Sequence, residues 1–553
     1  MRKLAVVALA ASLFCILGFG KIQAGAPADL VLFNGKIFTS NSKQPYVEAL
    51  AIRGERIIST GNSADVKSLA GPQTKQMDLA GRTVIPGIND AHNHLELEPT
   101  NQVDVQLHSM NPSWAEVKEA LAATASKSPA NSLLVVTIGS TIFRDVSVNR
   151  DSLDKAAPNN PVLLITFTGH GLILNSAGLE FYGVHENQQD PLGGRFERDA
   201  QGRLTGVVRE YAGINIERTV ENAVPDKDAV RQLRATLDDA AKWGITSIQD
   251  MSNGIPPARA VALLEKVPTP IRIRVMRMPG STPSGRDTQE GLGLPRNPTD
   301  LITVSGTKWM TDGVPIEQTF TPRDKINMPA APPFDAIATE LPLTFSEKEI
   351  ASMLKESLNA DDQLMLHISG YPAAKAVLDA MDATGGKAVW GTRRLRFEHG
   401  DGVYPDLVER VKDYGIVVVQ NPSHFMALSS AGQNFFLKAQ PFKSLLAAGI
   451  PVALGSDGPT NPFLNIMFAT IHGNRPAEAI TREQAVTAYT LTSAYAEFAE
   501  KEKGSLEAGK LADLAVLSQD IFTVPPPELP KTKSVLTIVG GKVAYDAQIL
   551  KTN

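Results

Sequence analysis

Short apolar runs broken by glycine-containing turns fill both ends of the chain. ADLVLFNGKIFT, VEALAIRGERIISTG and QMDLAGRTVIPG, lying between Ala28 and Gly87, read as short strands. GKLADLAVLSQD and VLTIVGGKVAYD repeat the style from Gly509 onward. Residues 27–85 and 499–553 are therefore expected to be two halves of one small β-sandwich domain that closes around the middle. In the middle, runs rich in Val, Ile and Leu alternate with stretches of helical spacing, the pattern of a parallel sheet whose strands are joined by helices. The first strand is expected to end at Val84–Ile88. ITSIQD from Ile245, PIRIRVMRM from Pro270, LITVSGTKWM from Leu301 and QLMLHIS from Gln363 supply the next four. RLRFEHG from Arg394, GIVVVQNPS from Gly415 and PVALGSDG from Pro451 complete a set of eight. Such a set predicts an α/β chain of the (β/α)8 TIM-barrel class over residues 86–498, with its active site at the C-terminal ends of the strands.

The helical stretches carry their own punctuation. DAVRQLRATLDDAAKWG places Val230, Leu233 and Leu237 along one face and stops at Gly244, and SEKEIASMLKESL opens with Ser346 and Glu349 at capping-box spacing. The stretch from Leu95 to Asp226 is too long for a connection between two barrel strands, and it holds strands of its own in SLLVVTIG and PVLLITFTGHG. Residues 95–226 are expected to form a subdomain inserted after the first barrel strand, beside the barrel mouth, where substrate selection is at home.

Composition narrows the classes. The chain has 553 residues, 43% hydrophobic and 20% charged, with a net charge of −5 and no basic run, so nucleic acid is not an expected partner. At the start, Arg2 and Lys3 precede an apolar run from Leu4 to Phe19 and then small residues, so residues 1–24 predict a signal peptide cleaved after Ala24. The mature protein would be exported, periplasmic or secreted, without stable membrane association; an uncleaved anchor is the alternative. Cys15, the one cysteine, lies in this leader. The mature chain would then have no disulfide and no thiolate, and any metal must be held by nitrogen and oxygen.

VIPGINDAHNHLE sets His92 and His94 two residues apart on extended backbone, where both imidazoles point the same way and can reach one ion. Alone, the pair is weak evidence and is more at home in a solvated loop. Other strand ends change that: Lys308 lies towards the end of the fourth strand, His367 near the end of the fifth, His399 ends the sixth, and Asp457 follows the eighth. With only nine histidines in the chain, four at one end of a barrel predict a divalent-metal site. Zinc takes imidazole nitrogen and carboxylate oxygen at about 2.0–2.2 Å and activates water. Asp457 is expected to accept that water's proton and pass it to a leaving nitrogen. Lys308 has two readings. It is an ammonium paired with a carboxylate such as Asp312, or an amine that has lost its proton beside cations and taken up carbon dioxide to become an N6-carboxylated bridge.

In this series, and in IPGINDAHNH, GHGLILNSAGLEFYG from Gly169, DPLGGRFERDAQGRLTGVVRE ending at Glu210, GITSIQDM, RLRFEHGD, LGSDGP and GSLEAGKLADLAVL, the chain resembles the amidohydrolase superfamily. Within it the chain is similar to the YtcJ-like, amidohydrolase-3 branch that includes N-substituted formamide deformylases, over nearly all of the mature length. The resemblance implies His92 and His94 on a more buried ion, Lys308 as the carboxylated bridge, His367 and His399 on a second ion, and Asp457 as ligand and proton shuttle. A one-ion site would use His92, His94, His367 and Asp457, with His399 orienting the water. Two departures bear on hydrogen bonding around the ligands and on substrate preference. Tyr371 stands in HISGYPAA where the branch usually has aspartate, and Gly400-Asp401 follows the sixth-strand histidine where a glutamine is common.

His170, with Asn175 and Ser176 in the insert, matches a branch motif and is expected either to face the substrate or to tie the insert to the barrel. Glu210 follows TGVV and either reaches the mouth or pairs with a surface arginine; His424, after the seventh strand, is placed for a substrate carbonyl. His108, His185 and His472 are expected to be structural or at the surface. VHENQ lacks the second histidine of a metalloprotease helix, GLGLPRNP is a proline-ended loop, and neither a P-loop nor a Gly-x-Ser-x-Gly elbow occurs. The expected activity is metal-dependent hydrolysis of a non-peptide C–N bond, in an amide, N-acyl or N-formyl group of a small molecule. The rivals are an ester, lactone or carbamate at the same site, and a barrel that binds ligand without turnover. A homo-oligomer is left open.

Overall fold

The computed structural model describes residues 25–109, 112–314, 317–318, 320–325, 340–424, 441–458, 460–473 and 475–551. The expected leader, residues 1–24 with Cys15, lies outside the described residues. Eight parallel strands follow one another in sequence order around one sheet: Ile88–Asn93, Ile245–Ser252, Arg272–Arg277, Ile302–Met310, Leu364–His367, Arg396–Glu398, Val417–Gln420 and Val452–Leu454. This is the barrel that the alternation of apolar runs and helices predicts. Neighbouring strands are laddered in parallel from the first to the eighth. Between the eighth and the first, single bonds close the ring. Asp457 N–H donates to the His92 carbonyl at 2.9 Å. The Asp90 carboxylate receives the Ser456 N–H at 2.8 Å and the Ser456 hydroxyl at 2.5 Å. The seam is tight at Gly455, where a Cβ would lie 2.4 Å from the Cβ of His92.

The first strand corrects the sequence expectation. Thr83–Pro86 does not enter the barrel; it pairs with Leu514–Leu517 and with Lys36–Phe38 in a different sheet. The barrel strand begins after Gly87, at Ile88. One apolar run feeds two sheets, and hydrophobic pattern alone carries no sign of where the chain crosses. As a result His92 lies within the strand rather than beyond its end.

The chain's two ends share that other sheet. Lys36–Phe38, Tyr46–Val47 and Thr83–Pro86 join Leu514–Leu517, Ser534–Val539 and Lys542–Asp546 in six strands, beside a four-stranded sheet built from residues 28–78. Leu30, Leu32 and Ile52 pack with Leu514, Val516 and Leu536 in one apolar core. Between the first two barrel strands a separate six-stranded mixed sheet occupies residues 102–210, and the helix Tyr211–Ala223 leads back from it. The helix Asp226–Lys242 buries Leu233 and Leu237 as its spacing predicts, with Ala229, Ala240 and Ala241; Val230 is only half-buried. Gly244, at φ +81°, turns the chain into the second barrel strand. Ser346 accepts the Glu349 N–H at 3.3 Å to start the helix Glu347–Ala360. The Glu349 carboxylate, however, takes Arg286 at 2.8 Å, so only half of the capping box forms.

Candidate metal centre

Each of the four strand-end histidines is anchored by its Nδ1. His92 donates to Glu398 Oε2 at 2.7 Å, across the barrel from the sixth strand. His94, one residue past the first strand, donates to the Met251 carbonyl and to Asn253 Oδ1, both at 2.9 Å. His367 donates to Asp312 Oδ1 at 2.7 Å, and His399 to Asn421 Oδ1 at 2.9 Å. Acceptors at every Nδ1 select one tautomer and leave Nε2 for another partner. For His367 that nitrogen is buried and has no hydrogen-bond partner.

The rings lie together. Centroids are 4.9 Å apart for His92 and His399, 4.5 Å for His399 and His367, and 5.4 Å for His92 and His94. Asp457 stands among them, 3.3 Å from His94 Nε2, 3.6 Å from His92 Nε2 and 3.4 Å from His424 Nε2. Ligand atoms of His92, His94 and Asp457 lie within 4.8 Å of one another, as do those of His399, His424 and Asp457, so the aspartate belongs to both groups. Burial works to raise the Asp457 carboxyl, but the imidazoles of His92, His424 and His94 outweigh it and hold it well below the usual range. His399 at φ +65° and Asp457 at φ +42° both occupy the left-handed region. Such positions cost about 1–3 kcal/mol each and persist where surrounding bonds fix them.

Lys308 is buried on the fourth strand, and its Nζ donates to Met251 Sδ at 3.4 Å. Burial is the main cause that lowers its pKa to about 8. Asp312 is not its ion-pair partner: that carboxylate accepts from His367 Nδ1 and from the Ser369 and Gly370 N–H groups.

The insert reaches the same cluster. His170 donates from Nδ1 to Glu210 Oε2 at 2.9 Å, and its ring lies 5.1 Å from that of His367. Glu210 thus has His170, not a surface arginine, as its partner; its Oε1 is buried with none. Glu210 adopts φ +51° and ψ −131° where its strand turns into the helix Tyr211–Ala223. Asn175 and Ser176, from the same motif, do structural work. Asn175 Oδ1 accepts the Gly178 N–H at 2.7 Å to cap a short helix, and the Ser176 hydroxyl donates to Asp154 at 2.6 Å. His424 donates from Nε2 to the Asp457 carbonyl at 2.8 Å and stacks on His399. His108 and His185 are exposed and His472 packs on Phe442, all outside the cluster. The Tyr371 hydroxyl donates to Asp406 at 2.9 Å. Glu398, Asp312, Asn421 and Asn253, which hold the rings, were not among the expected site residues. The glutamate preceding His399 in RLRFEHG was the one local hint, a carboxylate at a buried strand end.

Imidazole nitrogen and carboxylate oxygen, with no thiolate, form the donor set of zinc and neighbouring divalent ions. The anchored rings, the partnerless His367 Nε2 and the central Asp457 fit such an ion.

Residues 75–545 match the profile of the Amidohydrolase family. The chain is 28% identical over 546 residues to the N-substituted formamide deformylase of Arthrobacter pascens, covering 94% of this chain and 98% of that one. It is 25% identical over 539 residues to YtcJ of Bacillus subtilis (strain 168), covering 93% and 98%. An uncharacterized metal-dependent hydrolase from Pyrococcus horikoshii OT3 has the same fold, with a TM-score of 0.65 at 21% identity over 90% of this chain and 99% of that one.

Proposed function

The chain belongs to the amidohydrolase family, and we propose that this metal-dependent hydrolase of C–N bonds cleaves a non-peptide amide, N-acyl or N-formyl group in a small molecule. The anchoring carries this conclusion: histidines from different strands fix Nδ1 on protein acceptors, while Asp457 lies within 3.6 Å of the Nε2 atoms of His92 and His94. His92, His94, His367, His399 and Asp457 would hold one ion or two, zinc fitting the donors, and a carboxylated Lys308 would bridge a pair. When bound, such an ion lowers the pKa of water toward ~7 and polarises the carbonyl under attack.

The chain's own residues do the rest. Glu398, Asp312, Asn421 and the Met251 carbonyl set the ring orientations in advance, so little reorganisation is needed during reaction. Asp457, ionised among imidazoles, takes a proton from the attacking water as its oxygen bonds to the carbonyl carbon. It hands that proton to the nitrogen as the C–N bond breaks, leaving a carboxylic acid and an amine. His170 approaches the substrate from the insert, and against the effect of burial the Glu210 carboxylate raises its pKa, which favours the doubly protonated ring whose Nε2–H can reach an acyl oxygen. His424, whose Nε2–H is taken by the Asp457 carbonyl, borders the site from the end of the seventh strand. Burial that favours a neutral Lys308 supports carboxylation. The amine nitrogen bonds to the carbon of carbon dioxide, one N–H proton leaves to solvent, and a carbamate anion remains.

A screen of zinc-loaded protein against N-acyl amines, N-acyl amino acids, formamides and aryl esters tests the proposal. Metal-dependent release of amine supports it. Turnover of esters alone moves the activity to the ester alternative, and a protein that neither retains nor responds to metal overturns the hydrolase assignment. Intact mass under non-denaturing conditions tests Lys308, the added mass of carbon dioxide being the expected result.

A further inference from the structure

Barrel interiors are usually filled by layers of branched aliphatic side chains. Beneath the histidines this one is polar. Arg396 is fully buried and donates from Nε and Nη2 to the two oxygens of Glu398, at 2.7 and 3.1 Å. Its Nη2 also reaches the Ala91 carbonyl at 2.6 Å, and Nη1 reaches Gln249 Oε1 at 2.5 Å. Gln249 continues to Asn89 at 3.3 Å, and Asn89 to Glu497 at 2.6 Å, where Lys503 forms an ion pair at 2.8 Å. At the top of this chain Glu398 Oε2 receives His92 Nδ1–H.

His92 is set apart from the other three. His94 and His399 rest on neutral oxygens, and the aspartate that holds His367 is itself held by backbone N–H groups. Only Glu398 is gripped by an arginine, and the same guanidinium holds the carbonyl of the residue before His92. A buried ion pair is a poor device for stability, because desolvation offsets its attraction and an apolar pair of equal volume does as well. Its position at the back of one imidazole calls for another account.

We propose that Arg396 and Glu398 are positioning residues that set how tightly the metal is held at His92: Glu398 fixes the ring, and Arg396 fixes both Glu398 and the backbone at Ala91. The proposal rests on His92 being a ligand. The same bonds also predict an order of effect, with Glu398 acting directly and Glu497, further along the network, acting little.

Chelator competition for zinc tests this on the full chain. The set comprises wild type, Glu398→Gln, the double variant Arg396→Gln with Glu398→Gln, and Glu497→Gln as a control that removes a carboxylate from the same interior without touching His92. Glutamine keeps the shape and an acceptor oxygen but loses the charge, and the double variant leaves no unpaired buried charge, so it remains informative if the single one misfolds. Loss of such a partner typically weakens metal binding about 10–100-fold. That loss is expected in both Glu398 variants, with Glu497→Gln near wild type. Folded Glu398 variants that bind zinc like wild type overturn the proposal, as does an equal loss in Glu497→Gln, which would mark general loosening. Wild-type protein that binds no zinc removes the ligand role of His92 itself, a different failure read from the first sample.

Discussion

Replacing Gly455 by alanine is the sharpest test of how the barrel seam serves the site. The new Cβ would lie 2.4 Å from His92 Cβ, 2.5 Å from its nitrogen and 2.8 Å from its Cα. Ordinary carbon contacts begin near 3.4 Å, so the eighth strand and the first must separate by roughly 1 Å. All three atoms are backbone or Cβ, which leaves no side-chain rotation to absorb the clash. Gly455 is not at positive φ, so the perturbation is steric alone. Overpacking of this kind costs about 1–3 kcal/mol, and a displacement of ~1 Å in a reacting constellation costs about 10²-fold in rate. The expected result is a lower melting temperature, weaker zinc retention and kcat/KM reduced about 100-fold on whichever amide the screen identifies. Gly61→Ala is the control, because its Cβ would meet only Val66 Cγ2 at 3.9 Å. A Gly455→Ala protein with wild-type kcat/KM and zinc affinity would refute the reasoning that couples the seam to His92.

Asp457→Asn should keep most of the bound metal yet lose about 10²–10⁴-fold in kcat; unchanged turnover would remove Asp457 as the proton carrier. Stripping the metal with a chelator should abolish activity and lower the unfolding free energy by about 2.7 kcal/mol relative to protein in free zinc at about 100 times Kd. Restoration by zinc, followed by calorimetry and rate assay, checks this. Glu217 gives a pH signature. Burial first, then the charge of Glu96, raises its carboxyl to about 8 in the fold, above the ordinary 4.5. Its proton is therefore released on unfolding between those values, so the carboxyl destabilises the fold increasingly as pH rises toward 8. Glu217→Gln should raise the melting temperature little at pH ~5 and more at pH ~8. A difference independent of pH would show that the side chain is not held neutral. For the leader, sequencing of exported protein should find a mature N-terminus at Gly25; retention of Met1 would show an uncleaved anchor.

The sequence carried the barrel because each strand is a compact apolar run bounded by turns, and it pointed to side chains that the fold gathers at one end because metal chemistry asks for particular residue types at strand ends. It failed where one pattern served two purposes. VIPGI is apolar throughout, and whether Thr83–Pro86 belongs to the barrel depends on Leu514–Leu517, which lies far along the chain. Asp312 was one carboxylate that Lys308 could have paired with in one of its two readings, yet a strand end and a backbone turn send that aspartate to His367. The ring-holding acceptors Glu398, Asp312 and Asn421 were hidden for a related reason. A carboxylate or amide has no spacing rule that names its partner, and their roles exist only once different strands face one barrel axis. His170 was legible as a motif, but of its neighbours Asn175 caps a short helix and Ser176 bonds Asp154, so neither serves the chemistry.

The ring closes through bonds between residues as far apart as Asp90 and Ser456, 366 positions along the chain. On a growing polypeptide the first strand must therefore wait, its outer edge unpaired, until almost all the barrel has been made. Unpaired strand edges invite association between chains. Because His92 and Asp457 flank this last seam, a metal gripping both would act as the clasp of a bracelet. Zinc shortage during synthesis should then appear as aggregated protein, and not merely as enzyme that is folded but idle.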